Sequence, residues 1–296
     1  MGILHIVRQF YPLIGGLENY VYNLAKEQAK QGIRVKVLTL NRSFADNQYL
    51  PEREMLGRIE IIRIPFWGSS RYPIALSVLK HCENFDIVHV HAVDFFADFL
   101  SLTKILHNQK LILTTHGGFF HTAKSSRLKK IYFQTITRFS LKNYSNIIAC
   151  STNDYDLFSK ISDNVKLVPN GVDISRYLNI PKKIEKGTLV TVGRIDSHKG
   201  IDKLIHVIAR FKEKGVLLKL EVIGPDSRNI LPMLKNLAHQ LNVEDRVDFK
   251  GKVSDNELTI AYSKAHFFVS ASEYEGFGIV AVEALASGKL CILNNI

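Results

Sequence analysis

A chain of 296 residues is too long for one typical domain and suits two. Hydrophobic residues make up 46% and charged residues 23%, which fits a soluble globular protein and excludes a disordered one; apolar runs stay shorter than the roughly 18 residues that a membrane-spanning helix needs. The net charge of +11 is uneven, with 21 Lys/Arg against 13 Asp/Glu in residues 1–170 and 18 against 15 in the rest, an excess that suits a phosphorylated substrate, an anionic membrane or nucleic acid.

Apolar, β-branched runs alternate with helical patterns along the whole chain. The start reads as a buried strand over 3–7 rather than a signal peptide, because it lacks a basic leader and a small-residue cleavage site; Ile6 stands where an N-myristoylation signal needs Ser or Thr. A glycine turn and a helix over 17–31 follow. Strands are expected at 35–40, 59–64, 87–90, 111–115 and 147–150, with helices over 95–106 and 127–142. A second cycle begins after the Pro169-Asn170-Gly171 turn and the polar stretch 181–187, with strands at 188–192, 217–223, 247–250, 267–270 and 290–293. Near-continuous Val/Ile/Leu strands separated by helices predict parallel sheets covered on both faces. The expected fold class is α/β, with two Rossmann-like domains over 1–169 and 170–296. Cys82, Cys150 and Cys291 form no CxxC or Cys/His metal spacing and are expected to be buried thiols in a reducing cytoplasm.

Open parallel sheets bind ligands beyond the carboxyl ends of their strands, which directs attention to 9–16, 89–94, 116–121, 193–200, 224–226 and 270–278. In Pro12-Leu13-Ile14-Gly15-Gly16, two glycines let the backbone approach a ligand just before a helix N-terminus that favours anions. The loop is not GxGxxG, which speaks against a dinucleotide-binding dehydrogenase or epimerase. Thr115-His116-Gly117-Gly118-Phe119-Phe120-His121 follows a predicted strand, and His116 can hydrogen-bond a sugar hydroxyl or a developing charge. His116 and His121 share no helix face, so zinc is not expected there. The loop from Gly193-Arg194 to Lys199-Gly200 opens a helix; Arg194 offers planar bidentate contacts and Lys199 a compact charge, both suited to a diphosphate. It is not a Walker A loop, since the GK[ST] ending is missing. Finally, Glu275-Gly276-Phe277-Gly278 runs into a helix that carries Glu283. One loop carboxylate thus precedes a helical one by about two turns.

Taken together, Glu275-x7-Glu283 around Gly-Phe-Gly, Gly193-Arg194-x4-Lys199-Gly200, the Asn170-Gly-Val-Asp173 turn and Gly15-Gly16 resemble retaining glycosyltransferases of family 4, with the GT-B fold. Val7-Arg-Gln-Phe, Ser70-Arg-Tyr-Pro-Ile-Ala, Asp94-Phe-Phe, Leu102-Thr-Lys and Thr115-His-Gly-Gly-Phe-Phe-His-Thr are similar to bacterial exopolysaccharide α-mannosyltransferases. Those enzymes use GDP-mannose and a cellobiosyl-diphosphate-polyprenol. The resemblance implies an acceptor-binding N-terminal domain and a C-terminal domain for the nucleotide sugar. It implies that Arg194 and Lys199 neutralise the donor diphosphate, that Gly15 and Gly16 meet it, and that Glu275, Gly276, Phe277 and Gly278 line the donor sugar. Glu283 would contact the ribose and His116 would stand beside the sugar. Ser151, His121 and Asp94 are weaker candidates for the acceptor or the cleft. Members of this family continue beyond the equivalent of Ile296, so the C-terminal domain is expected to be incomplete; the competing readings are a family 4 transferase that uses another UDP- or GDP-sugar and a remnant that binds nucleotide sugar without turnover.

Breaking the sugar–phosphate bond leaves negative charge on the departing diphosphate. Arg194 and Lys199 can stabilise that charge in place of a divalent ion, so no cofactor and no obligatory metal are expected. Residues 124–142 interleave Lys124, Arg127, Lys129, Lys130, Arg138 and Lys142 with Ile131, Phe133, Ile136 and Phe139, a pattern that can lie on the anionic inner face of a membrane near a lipid-linked oligosaccharide. No clustered recognition element for nucleic acid is present in the sequence.

Overall fold

The structure is a computed structural model that describes residues 1–13, 15–117, 126–226, 228–275 and 278–295. The chain divides into two compact units, Met1–Gly171 and Val172–Ile296.

The first unit runs β1 (Gly2–Ile6), α1 (Gly16–Lys30), β2 (Arg34–Leu40), β3 (Arg53–Leu56), β4 (Ile59–Ile64), the ribbon β5 (Trp67–Ser69) and β6 (Tyr72–Ile74), β7 (Ile87–His91), α2 (Phe95–Leu102), α3 (Lys104–His107), β8 (Leu111–Thr114), α4 (Ser126–Tyr132), a π-helical stretch Phe133–Thr137, α5 (Arg138–Leu141), β9 (Tyr144–Ala149), α6 (Thr152–Phe158) and β10 (Val165–Leu167). Eight strands form one sheet in the order β10-β9-β8-β7-β1-β2-β4-β3. Every pair is parallel except β3 with β4. That antiparallel edge departs from the all-parallel expectation. Its residues alternate between exposed and half-buried, so no apolar run announces it.

All five residues of β1 are buried at the centre of the sheet. Period-two alternation sorts the strands into two faces. Leu4, Ile6, Leu38, Leu40, Val88 and Val90 join one core, while Val35, Val37, Ile59 and Ile61 join another with Val21, Ala25 and Ala29 of α1. Those three helical residues recur every four positions, which turns one stripe of α1 onto the sheet. The chain leaves β1 towards β2 and β4, then returns through β7 on the other side. The strand order therefore reverses between β1 and β7, and crevices form at such points.

The second unit runs β11 (Thr188–Val192), α7 (Ile201–Glu213), β12 (Lys219–Ile223), α8 (Leu231–Gln240), β13 (Val247–Gly251), α9 (Asp255–Lys264), β14 (Phe267–Ser270), α10 (Ile279–Ala286) and β15 (Leu290–Leu293). Its five strands are all parallel, in the order β13-β12-β11-β14-β15, with the reversal between β11 and β14. Helix α7 buries Ile201, Leu204, Ile205, Ile208 and Ala209, the spacing of an apolar stripe at 3.6 residues per turn. Ser254 and Glu257 close a capping box at the start of α9.

Candidate active site

In the second unit the two loops that leave the reversal point, after β11 and after β14, meet. Lys199 Nζ forms an ion pair with Glu275 Oε1, with both side chains only partly exposed. Ser272 Oγ donates to the same carboxylate oxygen at 2.9 Å. The Glu273 N–H donates to His198 O at 2.8 Å, which ties the loop backbones together. Gly200 makes this closure possible. It adopts φ +62°, and a Cβ there would lie 2.4 Å from Ala271 O; no L-residue satisfies both the left-handed backbone and that approach. Gly193 has φ +149°, a backbone conformation that L-residues rarely adopt, and Lys199 passes beside it. Arg194 is exposed on the same loop and makes no ion pair among the described residues. The arrangement is a cation held by a carboxylate beside a second, open cation. An anion with two charged groups can engage both. Gly278 has left-handed backbone at the start of α10, while Gly276 and Phe277 lie outside the described residues.

Glu283 has different partners. Its side chain is 12% exposed and lies 3.8 Å from Arg176 Nη2. Burial raises its carboxyl above the usual range, opposed by the Arg176 guanidinium and the flanking Tyr177 and Tyr262 phenols. Arg176 also pairs with Asp255 at 2.5 Å. Arg176 and Tyr177 stand just after the turn that joins the two cycles, where no motif marks them.

In the first unit, Gly15 caps the N-terminus of α1 without a side chain, and a Cβ at Gly16 would meet nothing within 4 Å. The Glu18 carboxylate folds back over this start: a Cβ at Gly15 would lie 2.2 Å from Glu18 Oε2. His116 follows β8 at φ +52°, an uncommon conformation for a residue with a side chain. Buried Asp154 on α6 holds the backbone there by accepting from the Thr115 hydroxyl and, at 2.7 Å, from the Gly117 N–H. Asp154 and Asp156 form the sequence's one Asp-x-Asp, but Asp154 is buried in this clamp while Asp156 is exposed. Residues two apart on a helix do not share a face.

Both ring nitrogens of His116 already face neighbouring side chains. Its Nε2 is 3.1 Å from His91 Nδ1, and its Nδ1 is 3.7 Å from Cys150 Sγ. Burial pushes the His116 pKa down to about 3. Two of the three weaker candidates, Asp94 and Ser151, are built into the scaffold. Asp94 caps α2, accepting from the Phe96 N–H at 2.9 Å, and its Oδ2 lies 3.0 Å from Arg8 Nε. Burial outweighs Arg8 and pushes the Asp94 carboxyl up to about 6. Ser151 Oγ caps α6 by accepting from the Asp154 N–H at 3.2 Å. His121 lies outside the described residues.

Sequence reading passed over His5, His89 and His91. All three are buried on β1 and β7, at the order reversal. The signal was present: His89 and His91 are two apart in an otherwise apolar strand, and period two puts them on one face. The ring nitrogens of this trio lie within 4.8 Å of one another, close enough for a cation. Both nitrogens of His5 and of His91, however, are already in hydrogen bonds with neighbouring side chains.

Two α/β units, one with a paired cation and an exposed cation at its reversal point, define an α/β protein with a candidate anion site. Residues 14–176 match Glycosyltransferase Family 4, and residues 177–296 match Glycosyl transferases group 1. The chain is 39% identical, over its whole length and 79% of the relative's, to a GDP-mannose:cellobiosyl-diphosphopolyprenol alpha-mannosyltransferase of Xanthomonas campestris. It is also 39% identical to an enzyme of that name from Komagataeibacter xylinus, covering all of this chain and 76% of that one. Sucrose-phosphate synthase from Thermosynechococcus elongatus superposes with a TM-score of 0.77 at 22% identity, covering 99% of this chain and 80% of the other. HepE of Anabaena, solved with UDP and glucose, gives 0.73 at 18% identity, covering 98% and 80%. These likenesses define the fold as GT-B. The chain belongs to glycosyltransferase family 4.

Proposed function

We propose that this glycosyltransferase transfers an α-mannosyl group from GDP-mannose to a sugar chain carried on a polyprenyl diphosphate. The reading rests on the 39% identity over the entire chain to relatives named for that transfer. In the second unit, Lys199 and Arg194 take the donor diphosphate, Glu275 and Gly276-Phe277-Gly278 meet the sugar, and Glu283 meets the ribose. In the first unit, the start of α1 at Gly15-Gly16 offers backbone N–H groups to phosphate once the Glu18 carboxylate swings aside, and His116 offers Nδ1 to a sugar hydroxyl in place of its weak thiol partner.

The bond between the anomeric carbon and the diphosphate oxygen breaks, and its electron pair leaves with the diphosphate. The acceptor oxygen bonds to the same face of the sugar, and its proton passes to the departing phosphate oxygen. Lys199 and Arg194 stabilise the charge as it develops, which is where fixed charges lower a barrier most. With those two cations in place no divalent metal is required. Transfer in EDTA is expected to equal transfer in magnesium, and loss of activity on chelation, restored by the metal, would refute this.

The lipid-linked acceptor fits a peripheral position on the anionic inner face of the membrane. Residues 101–150 carry eight Lys/Arg and no Asp/Glu. Ile105 is 93% exposed, with Leu102, Leu106, Ile131, Ile136 and Phe139 also exposed, and Arg127, Lys130, Arg138 and Lys142 stand among them. Phe133 is not part of this face; it is buried in the core. No helix among the described residues is long and apolar enough to cross a membrane.

The deciding experiment supplies the purified protein with GDP-mannose, GDP-glucose, UDP-glucose and UDP-N-acetylglucosamine, each with a short-chain cellobiosyl-diphosphopolyprenol. A retained α-linked mannosyl product from GDP-mannose alone is expected. Turnover with a different sugar nucleotide, or an inverted linkage, would overturn the assignment.

A further inference from the structure

Three imidazoles of the first unit, buried His5 and His91 and half-buried His116, form a line with two ends. His5 Nε2 is 2.7 Å from Gln28 Oε1 on α1, and His5 Nδ1 is 2.9 Å from His91 Nε2. His91 Nδ1 is 3.1 Å from His116 Nε2, and His116 Nδ1 faces Cys150 Sγ at 3.7 Å. Tyr20, also on α1, sets its ring edge-on to His116 at 4.7 Å between centroids.

A neutral imidazole carries one N–H and one lone pair. Each link in such a line needs one donor and one acceptor, so the whole line has only two proton arrangements. The rings are neutral: burial lowers His5 to about 4 and holds His91 well below the ordinary histidine range. The ends choose between the two arrangements. The Gln28 carbonyl accepts, so His5 must donate through Nε2. His91 then donates Nε2–H to His5 Nδ1, and His116 donates Nε2–H to His91 Nδ1. The far end agrees, because burial pushes the Cys150 thiol up to about 12 and keeps its S–H available to donate to His116 Nδ1.

We infer that Gln28, His5 and His91 are positioning residues that fix His116 in the Nε2–H tautomer, so that Nδ1 presents a lone pair and accepts a hydrogen bond from substrate. The acceptor role of Nδ1 towards a sugar rests on the proposed function above; the tautomer itself does not.

The test is long-range proton–nitrogen NMR of the full chain labelled with nitrogen-15 histidine, with the His116 signal identified through His116→Asn. The wild-type protein is expected to show His116 protonated at Nε2 alone. Gln28→Glu, whose carboxylate can only accept, should preserve that pattern. Gln28→Leu, which removes the acceptor at similar size, should give a mixture of tautomers. In transfer assays Gln28→Leu should lower kcat by about fivefold, the effect of one lost hydrogen bond, with KM for the sugar nucleotide unchanged and kcat recovered in Gln28→Glu. Wild-type His116 protonated at Nδ1 overturns the inference without any variant, as does an unchanged tautomer in folded Gln28→Leu. A merely structural glutamine would make the buried charge of Gln28→Glu the more damaging change. If GDP-mannose is not a donor, the NMR result still decides the relay, so failure of the donor assignment is separable from failure of this one.

Discussion

Lys199 and Glu275 neutralise each other, so each blunts what the other does when substituted. Lys199→Ala and Arg194→Ala are expected to lose about 2–4 kcal/mol of transition-state stabilisation, the scale of a lost oxyanion donor. Steady-state kcat/KM for sugar transfer measures this, and values within twofold of the parent would exclude the diphosphate role. Glu275→Gln has a different signature. It releases Lys199 from its partner, so the Kd for GDP by calorimetry should stay level or tighten while kcat falls; weakened GDP binding would show that Glu275 serves the nucleotide instead. Both residues were legible because glycines and charges stand together at strand ends. Gln28, His5 and His91 were not, because a histidine in an apolar strand reads equally as a satisfied core residue, and only the coordinates join three rings into a line.

At the scale of elements, long apolar strands were legible and interrupted helices were not. The segment expected as one helix over 95–106 breaks at Thr103, whose hydroxyl bonds back to Phe99 O at 2.6 Å. The helix over 127–142 contains the π stretch Phe133–Thr137. An extra residue in that turn shifts the apolar phase, so Phe133 and Leu141 reach the core while Ile136 and Phe139 face outward. The exposed side should bind lipid. Co-sedimentation with vesicles containing anionic lipid is expected to drop severalfold in Arg138→Glu/Lys142→Glu and to weaken with salt. Binding that ignores both changes would place the membrane contact elsewhere or nowhere on this face.

For the molecule as a whole, two cycles of strands and helices were readable from period and turn residues, and two units are what the chain forms. The antiparallel edge and the short β10 were too polar or too brief to register. The buried histidines also set how stability varies with pH. A histidine whose pKa is lowered on folding favours the native state above its unfolded pKa, and that contribution is lost as pH falls towards the folded value. For His5 the window runs from 6.5 down to about 4, and the loss is on the order of 3 kcal/mol. His89, His91 and His116 act in the same sense. Asp94 opposes them, since its raised carboxyl regains stability as pH falls through about 6. Burial also raises Glu221 and Glu283, but the four imidazoles are the more deeply buried set, so the melting temperature should fall on acidification across this window, and the fall should be shallower in His5→Gln. A flat profile would mean that the rings are not buried as described.

Each sheet reverses its order at a seam, and there the loops part to opposite sides, so part of their surface faces away from the core. Within 193–200 and 271–275, exposed positions such as Arg194 and Glu273 can change without disturbing the strands, whereas Ile195, Gly200 and Ser272 are packed and cannot. Divergence in what is recognised can proceed at the seam while the melting temperature stands still, and the scaffold remains available for new donors long after its present one is lost.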